Sequence, residues 1–255
     1  MINGQWIKLD EVDSTNNYLR HLDASDNSRM TLVTAEFQTA GRGADTNRWE
    51  SAKGENLLFS LRVQPSCLPV SRMFAISEAT ALAVRDSLNA FLPSTPPKGG
   101  RGVSIKWPND IYYGDSKVAG ILIENDLQGA QVMRSIIGVG INVNQRRFLS
   151  DAPNPRSLAD IVGHDVRRHF VLEQFMECFM HYFGQIDTGK EKALDALHED
   201  YKSHLYRRGE EHAYTDKDGT FRATLIDVEP TGHLILQDKE GNKRRYEFKE
   251  VKYEI

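Results

Sequence analysis

Cysteine is scarce in this chain. Of its 255 residues two are cysteines, Cys67 and Cys178, far apart and without a CxxC neighbour, which excludes a disulfide framework and a thiolate metal site. The eight histidines show neither HxH nor HExxH spacing, so no zinc centre is expected. A GxSxG elbow is lacking, and with it support for a serine hydrolase. No apolar run approaches the length of a membrane span, and the first fifteen residues have no basic segment followed by an apolar core. A cytoplasmic location is the expectation. Positive charge is not in surplus either: the net charge is -4, so there is no global basic field for nucleic acid, and neither DNA nor membrane is expected as a partner.

What is present suits a globular protein. With 40% hydrophobic and 27% charged residues, the chain can bury one sizeable core and a small second one. Residues 5–9 read as a strand, after which Asp13, Ser14, Thr15 and Asn16 offer caps for a helix through Tyr18, Leu19 and Leu22. Residues 31–37 and 57–63 read as strands. Between them, 38–56 is polar, glycine-containing and without periodicity, and loops of that length are usually functional. Pro69 precedes helical spacing over 70–92, and 93–102 is a Pro/Gly linker. Residues 104–125 combine a strand, a Trp-Pro-Asn-Asp corner, a Gly-Asp-Ser turn and an apolar strand entered at Lys117. Residues 131–144 can pair with 118–127 across a turn at 128–130. After a break at 151–155, helices are expected at 157–162, 171–185 and 191–205. Short strands with tight turns then follow, at 211–215, 221–228, 233–237 and 244–248, a spacing that suggests a small barrel. The expected architecture is a mixed sheet with helices on one side over residues 1–206 and a small β-barrel over 207–255.

Lys117 is the most telling residue. An ammonium on the inner face of a sheet is costly to desolvate unless an anion compensates it, so the sequence asks for a phosphate or carboxylate ligand. Asn109 and Asp110, at a strand end, serve either a phosphate and Mg²⁺ or merely an Asx turn. Gly41 and Gly43 flank Arg42, which lets the backbone approach a ligand while the guanidinium grips an anion; the alternative is a surface loop with one solvated arginine. Trp49 in the same polar loop suits a flat partner such as an adenine ring. Gly138 and Gly140 mark either the close approach of a ligand, with Asn142 reaching a phosphate, or a β-bulge. Ser14, Thr15 and Asn16 are either helix caps or partners for a small polar head group such as a ureido ring.

Taken in order, DSTN at 13–16, QTAGRG at 38–43 with RWES behind it, KWPND at 106–110, KVAGILIE at 117–124 and GVGINVN at 138–144 resemble the biotin protein ligase family. The resemblance implies an α+β fold: a mixed β-sheet flanked by helices, like that of class II aminoacyl-tRNA synthetases and of biotin and lipoate ligases, followed by a small SH3-like barrel. It also implies a two-step reaction. Biotin and MgATP give biotinyl-5'-AMP and pyrophosphate, and a lysine of a biotin carboxyl carrier protein domain, from acetyl-CoA carboxylase or a related carboxylase, then attacks the mixed anhydride. By the same resemblance Ser14, Thr15, Asn16, Gln38, Gly41, Arg42, Gly43, Lys117 and Gly120 contact biotin. Arg42, Trp49, Asn109, Lys117, Gly140 and Asn142 serve ATP and the adenylate, Asp110 holds Mg²⁺, and Lys117, Arg42 and Asp110 carry the catalysis. Where the family commonly continues GRG with a second arginine, this chain has Ala44, Asp45 and Thr46; either Arg48 replaces that grip or the adenylate is held less tightly. Some members carry a DNA-binding winged helix ahead of the ligase part. With twelve residues ahead of Asp13, a ligase without repressor activity is expected, as a monomer or homodimer. A lipoate protein ligase shares the fold, but its RRxSGGG-type loop is absent. A non-catalytic biotin-sensing or carrier-binding module is the other alternative, and Lys117 and Asp110 argue against it.

Overall fold

Seven strands build the first sheet: β1 (Gly4–Val12), β2 (Met30–Gln38), β3 (Leu57–Val63), β4 (Val103–Lys106), β5 (Asp110–Tyr113), β6 (Ser116–Gln128) and β7 (Gln131–Ile141), in the spatial order β1-β2-β3-β7-β6-β5-β4. β1 and β2 run parallel and every other neighbouring pair is antiparallel, so the sheet is mixed. The structure, a computed structural model, describes residues 4–22, 28–44, 47–92, 102–149 and 154–255. Residues 93–101 of the expected linker at 93–102, residues 151–153 of the expected break at 151–155, and Asp45 and Thr46 lie outside the described residues.

Strand alternation sorts the core. In β3, Leu57, Phe59, Leu61 and Val63 point into the main core, where α2 (Ala75–Asn89) and α4 (Arg168–Asp187) cover the sheet and Phe59 meets Phe175 with ring centroids 4.8 Å apart. α5 (Glu191–Ser203) packs beside them, and α3 (Leu158–Val162) follows the end of β7. α2 is shorter than its apolar spacing suggests, because residues 70–72 form a separate 3₁₀ turn after Pro69. Helices on one side was the expectation, and it is incomplete. α1 (Thr15–His21) lies on the opposite face, where Leu19 packs with Val33 and Ile136 as a second, small core. Val33 stands opposite Ser60 and Ile136 opposite Arg62, which places all of them on the face away from Phe59.

The C-terminal strands β8 (Glu211–Asp216), β9 (Gly219–Val228), β10 (Leu234–Gln237), β11 (Lys243–Tyr246) and β12 (Lys252–Tyr253) form one five-stranded antiparallel sheet, ordered β11-β10-β9-β8-β12. Hydrogen bonds fasten both the chain leading into this region and the region itself to the β4 end of the first sheet. Ile105 N–H donates to His204 O (2.9 Å), Tyr206 N–H to Ile105 O (2.8 Å), and Trp107 Nε1 to Gly232 O (2.8 Å). No helix among the described residues is long and apolar enough to cross a membrane.

Candidate active site

Strand register lays out the floor of a cleft. Leu58 of β3, Gly140 of β7 and Gly120 of β6 stand in one row across the sheet, and Ser60, Gly138 and Leu122 stand in the next. Both rows face α1. The glycines leave a trough that other side chains enter: a Cβ on Gly138 would sit 2.2 Å from Asn16 Oδ1, and a Cβ on Gly140 or Gly120 would sit 2.4 or 2.7 Å from the Trp49 ring. They are therefore close-approach glycines, since the irregularity in the β6/β7 pairing lies at Asp126/Leu127, far from Gly138 and Gly140. Above this floor opens a cleft of about 550 Å³.

One end of the cleft is densely hydrogen-bonded, its polar groups uncharged apart from the ion-pair cluster of Glu124 with Arg42 and Arg20. The chain turns from β1 into α1 at Ser14, Thr15 and Asn16, all buried. Ser14 holds the N-cap position without a side-chain cap bond, so capping does not account for its hydroxyl. Thr15 donates from its N–H (2.7 Å) and its hydroxyl (3.0 Å) to Gln38 Oε1. The Ser60 hydroxyl lies 2.6 Å from Asn16 Oδ1 and 2.7 Å from Thr15 Oγ1. Asn16 Nδ2 donates to Glu124 at 3.0 Å, and Glu124 also accepts both terminal nitrogens of Arg42 (2.9 and 3.2 Å) and pairs with Arg20 at 2.7 Å. Burial pushes the Glu124 carboxyl up, but the bonds from Asn16 and Arg42 and the charges of Arg42 and Arg20 outweigh it and hold the group below the usual carboxylate range. Arg42 is thus committed to Glu124 and to Asn17 Oδ1 (2.9 Å), whereas Arg48, which also lines the cleft, has no side-chain partner among the described residues.

The other end is charged. Strict alternation back from Glu124, Leu122 and Gly120 would turn Val118 toward the cleft and Lys117 into the core. A one-residue shift between β5 and β6 prevents this: Ile111 faces Ala119 while Tyr112 faces Lys117, so Val118 is the extra residue and joins the core. Lys117 accordingly lines the cleft, with Nζ 2.6 Å from Asp110 Oδ2 and 6.0 Å from the Trp49 ring centroid. Part of the anion that the sequence asked for is therefore Asp110 itself. The indole N–H of Trp49 is buried without a partner among the described residues. The corner from Trp107 to Asn109, which contains a cis Trp107–Pro108 peptide, is held from behind: Tyr201 OH donates to Pro108 O (2.7 Å) and Asn109 Nδ2 to Ser77 Oγ (2.9 Å). The amide of Asn109 is thus not folded back on its own turn.

Two expected site residues stand apart from the lining. Asn142 is buried beneath it, its N–H donating to Val118 O (2.9 Å) and its amide reaching Lys117 O (3.5 Å), so it supports the backbone on either side of the bulge. Gly41 is tight against the Trp49 backbone, where a Cβ would sit 2.5 Å from the carbonyl oxygen. Ser14, Thr15, Asn16, Gln38, Arg42, Gly43, Trp49, Asn109, Asp110, Lys117, Gly120 and Gly140 all line the cleft. Sequence reasoning gave no role to Ser60 or, from the C-terminal region, to Phe248 and Tyr253. It gave none to Lys106 and Glu124 either, although these two stand at the ends of the motifs at 106–110 and 117–124 and Glu124 shares strand period two with Gly120 and Leu122. Among the described residues no group of three His, Cys, Asp or Glu side chains is placed to hold a metal. Asp110 is a single carboxylate, a donor set that fits Mg²⁺ arriving on nucleotide phosphates.

A family model described as the Biotin/lipoate A/B protein ligase family matches residues 9–142 of the 255. The chain belongs to this family. Its relatives there include the Bifunctional ligase/repressor BirA of Bacillus spizizenii, 30% identical over 249 residues that cover 95% of this chain and 73% of the relative. The biotin--[acetyl-CoA-carboxylase] ligase of Paracoccus denitrificans is 31% identical over 185 residues, covering 71% and 73%. Among solved structures, the biotin protein ligase from Aquifex aeolicus in complex with biotin and ATP matches with a TM-score of 0.77 at 27% identity, over 98% of this chain and 99% of that one. The family match runs from within β1 to the end of β7 and so contains the glycine floor of the cleft and all five motifs up to Asn142, while the likeness to the Aquifex enzyme extends through the C-terminal sheet.

Proposed function

We propose that the chain is an ATP-dependent ligase that converts biotin and MgATP to biotinyl-5'-AMP and pyrophosphate, then passes the biotinyl group to a lysine of a biotin carboxyl carrier protein domain of acetyl-CoA carboxylase or a related carboxylase. One observation carries the reading: a single cleft gathers residues from five separate sequence motifs, with uncharged hydrogen-bonding side chains at one end and the Lys117–Asp110 pair at the other. Biotin has the same polarity, with a ureido ring at one end and a carboxylate at the other. The ureido carbonyl and its two N–H groups suit the hydroxyl and amide groups of Ser14, Thr15, Asn16 and Gln38. The lipoyl dithiolane ring forms no such bonds, and each buried polar group left unpaired costs roughly 1–3 kcal/mol.

In the first step the biotin carboxylate attacks the α-phosphorus, the bond to the β-phosphate oxygen breaks, and no proton moves. Lys117 supplies positive charge where the carboxylate meets the α-phosphate, and fixed charge aimed at such oxygens is the main catalytic resource in phosphoryl-group chemistry. Asp110, freed from Lys117 when substrate oxygens take over that ammonium, is the carboxylate available to the Mg²⁺ of MgATP. Trp49, lying on Gly120 and Gly140, shields the anhydride from water. In the second step the carrier amine attacks the acyl carbonyl, an amide forms, the bond to the phosphate oxygen breaks, AMP leaves and the attacking nitrogen loses a proton. The reading takes 1–206 as the catalytic part and 207–255 as a C-terminal part, acting in the cytoplasm as a monomer or homodimer, with no DNA or membrane partner. Exchange of labelled pyrophosphate into ATP tests it: exchange that requires biotin and is not supported by lipoate is expected, and exchange with lipoate alone overturns it.

A further inference from the structure

The corner that leads to Asp110 does not close on itself. Outside the strand ladders, no backbone–backbone hydrogen bond among the described residues involves Trp107, Pro108 or Asn109, although a tight turn often closes with such a bond. Its anchors come instead from two helices. α2 supplies Ser77, whose Oγ accepts from Asn109 Nδ2 at 2.9 Å, and α5 supplies Tyr201, whose hydroxyl donates to Pro108 O at 2.7 Å. Asn109 lines the cleft, whereas neither Ser77 nor Tyr201 does. Tyr201 is fully buried, and burial holds its phenol well above the ordinary value, so the O–H remains a donor across the neutral range.

The two helices are joined beside these same residues. Glu78 follows Ser77 in α2, and His198 stands one turn before Tyr201 on the same face of α5. Both are buried, and His198 Nδ1 lies 2.5 Å from Glu78 Oε1. Phe74, at the start of α2, meets the Tyr201 ring edge-on with centroids 5.6 Å apart. The hydroxyls that hold the corner are therefore mounted on a clasped pair of helices, one gripping a side-chain amide and the other a backbone carbonyl. A corner held at two atoms cannot pivot about either.

We infer that Ser77 and Tyr201 are positioning residues, which through the corner fix where Asn109 and Asp110 stand relative to Lys117 and so set the rate of adenylate formation without touching a substrate. The inference rests on the ligase reading given above. Asp110 is the first residue of β5, directly after the corner, and its carboxylate is 2.6 Å from Lys117 Nζ. Misplacement of a reacting group by about 1 Å can cost about 10²-fold in rate, so small shifts of the corner are felt in the chemistry. The Glu78–His198 pair fixes how the two helices face each other, which is the best-attested use of a buried polar pair.

Two measurements test this. In biotin-dependent pyrophosphate exchange, Tyr201→Phe and Ser77→Ala are each expected to lose about 10-fold in kcat/KM for MgATP, with biotin affinity in the absence of nucleotide unchanged within twofold and the melting temperature lowered by no more than about 4 °C. Ser77→Thr keeps the hydroxyl and is expected to recover most of the loss, since Ser77 also borders a cavity of about 190 Å³ that has room for a methyl group. Wild-type kcat/KM in Tyr201→Phe overturns the inference, as does an equal loss of biotin affinity, which marks general support of the fold. Hydrogen–deuterium exchange needs no activity: amides of a peptide over 106–113 are expected to exchange faster in Tyr201→Phe than in the wild type, with a peptide of β2 as the unchanged control. Equal exchange over 106–113 overturns the inference. If the wild-type protein shows no biotin-dependent pyrophosphate exchange, the ligase reading fails, while the amide measurement still decides whether Tyr201 holds the corner.

Discussion

The hydrogen-bonded and charged ends of the cleft are built on opposite plans. At the hydrogen-bonded end Thr15, Asn16, Gln38, Ser60 and Glu124 bind one another across β2, α1, β3 and β6, so the ring-binding surface is in place before any ligand arrives. At the charged end Lys117 has its counter-charge in Asp110, while Lys106, the Trp49 indole N–H and the Tyr253 hydroxyl have no hydrogen-bond or ion-pair partner among the described residues. Buried charge without a partner is expensive, and an anionic substrate relieves that cost. The contrast teaches that recognition and chemistry are separated along one trough: shape and hydrogen bonds are preorganised at one end, and electrostatics is completed by substrate at the other.

The most damaging way to break the contrast is to remove the paired cation. Lys117→Ala is expected to cut biotin-dependent pyrophosphate exchange by about 10²- to 10³-fold or more while leaving binding of biotin analogues that lack the carboxyl intact; pyrophosphate release at the wild-type rate would sink the role given to this lysine. Next, Gly140→Ala drives a methyl group into the space of the Trp49 indole. Overpacking of this kind costs about 1–3 kcal/mol, which is read here as a rise of roughly 5- to 150-fold in the KM of ATP; unchanged kinetics shows that the indole does not rest on this floor in solution.

Sharper, because it touches the hydrogen-bonded end alone, is Glu124→Gln. It removes the charge that holds Arg42 and Arg20, and a roughly 10-fold weaker biotin affinity is expected from the equivalent of one charge-assisted bond at about 1.5 kcal/mol. Titration supplies a check with a definite sign. The Glu124 carboxyl lies below its ordinary value in the folded protein, so its contribution is complete above the unfolded value near ~4.3 and fades only as pH falls through the lower folded value. Wild-type biotin affinity should therefore show no step attributable to this group between about pH 5 and 8; a step there that vanishes in Glu124→Gln contradicts the assignment. Smallest is Ser60→Ala, which leaves Asn16 Oδ1 without its donor. A loss of about 1 kcal/mol, a few-fold in biotin affinity with the KM of ATP unchanged, is expected from calorimetry and steady-state kinetics together.

Much of this was legible in the sequence, and the failures have physical causes. β3 could be read at both ends because its alternating apolar run is bounded by polar residues, and the β6/β7 hairpin could be read from its Gln-Gly-Ala turn. β12 could not be read, because a strand of two residues has no period; with it went Tyr253 and the contribution of the C-terminal sheet to the cleft. α1 was placed in the chain but not on its own face of the sheet, since the small core of Leu19, Val33 and Ile136 joins residues far apart in sequence. At the site, the motif residues were visible by type and spacing. The state of Lys117 was not, because the bulge at Val118 breaks the alternation by which a strand residue is assigned to a face. Asn142 shows the limit of alternation from the other side. Alternation from Gly140 points it at the cleft, but β7 ends at Ile141 and the side chain turns beneath the floor to support Lys117.

The central claim, that one cleft makes a biotinyl anhydride and delivers it to a protein amine, is tested most directly by intact-mass spectrometry of a biotin carboxyl carrier domain incubated with this protein, MgATP and equal amounts of biotin and lipoate. A single biotin-sized mass increase, mapped to one lysine and dependent on ATP, is the predicted result. A lipoyl-sized increase, or an unmodified carrier, contradicts the account.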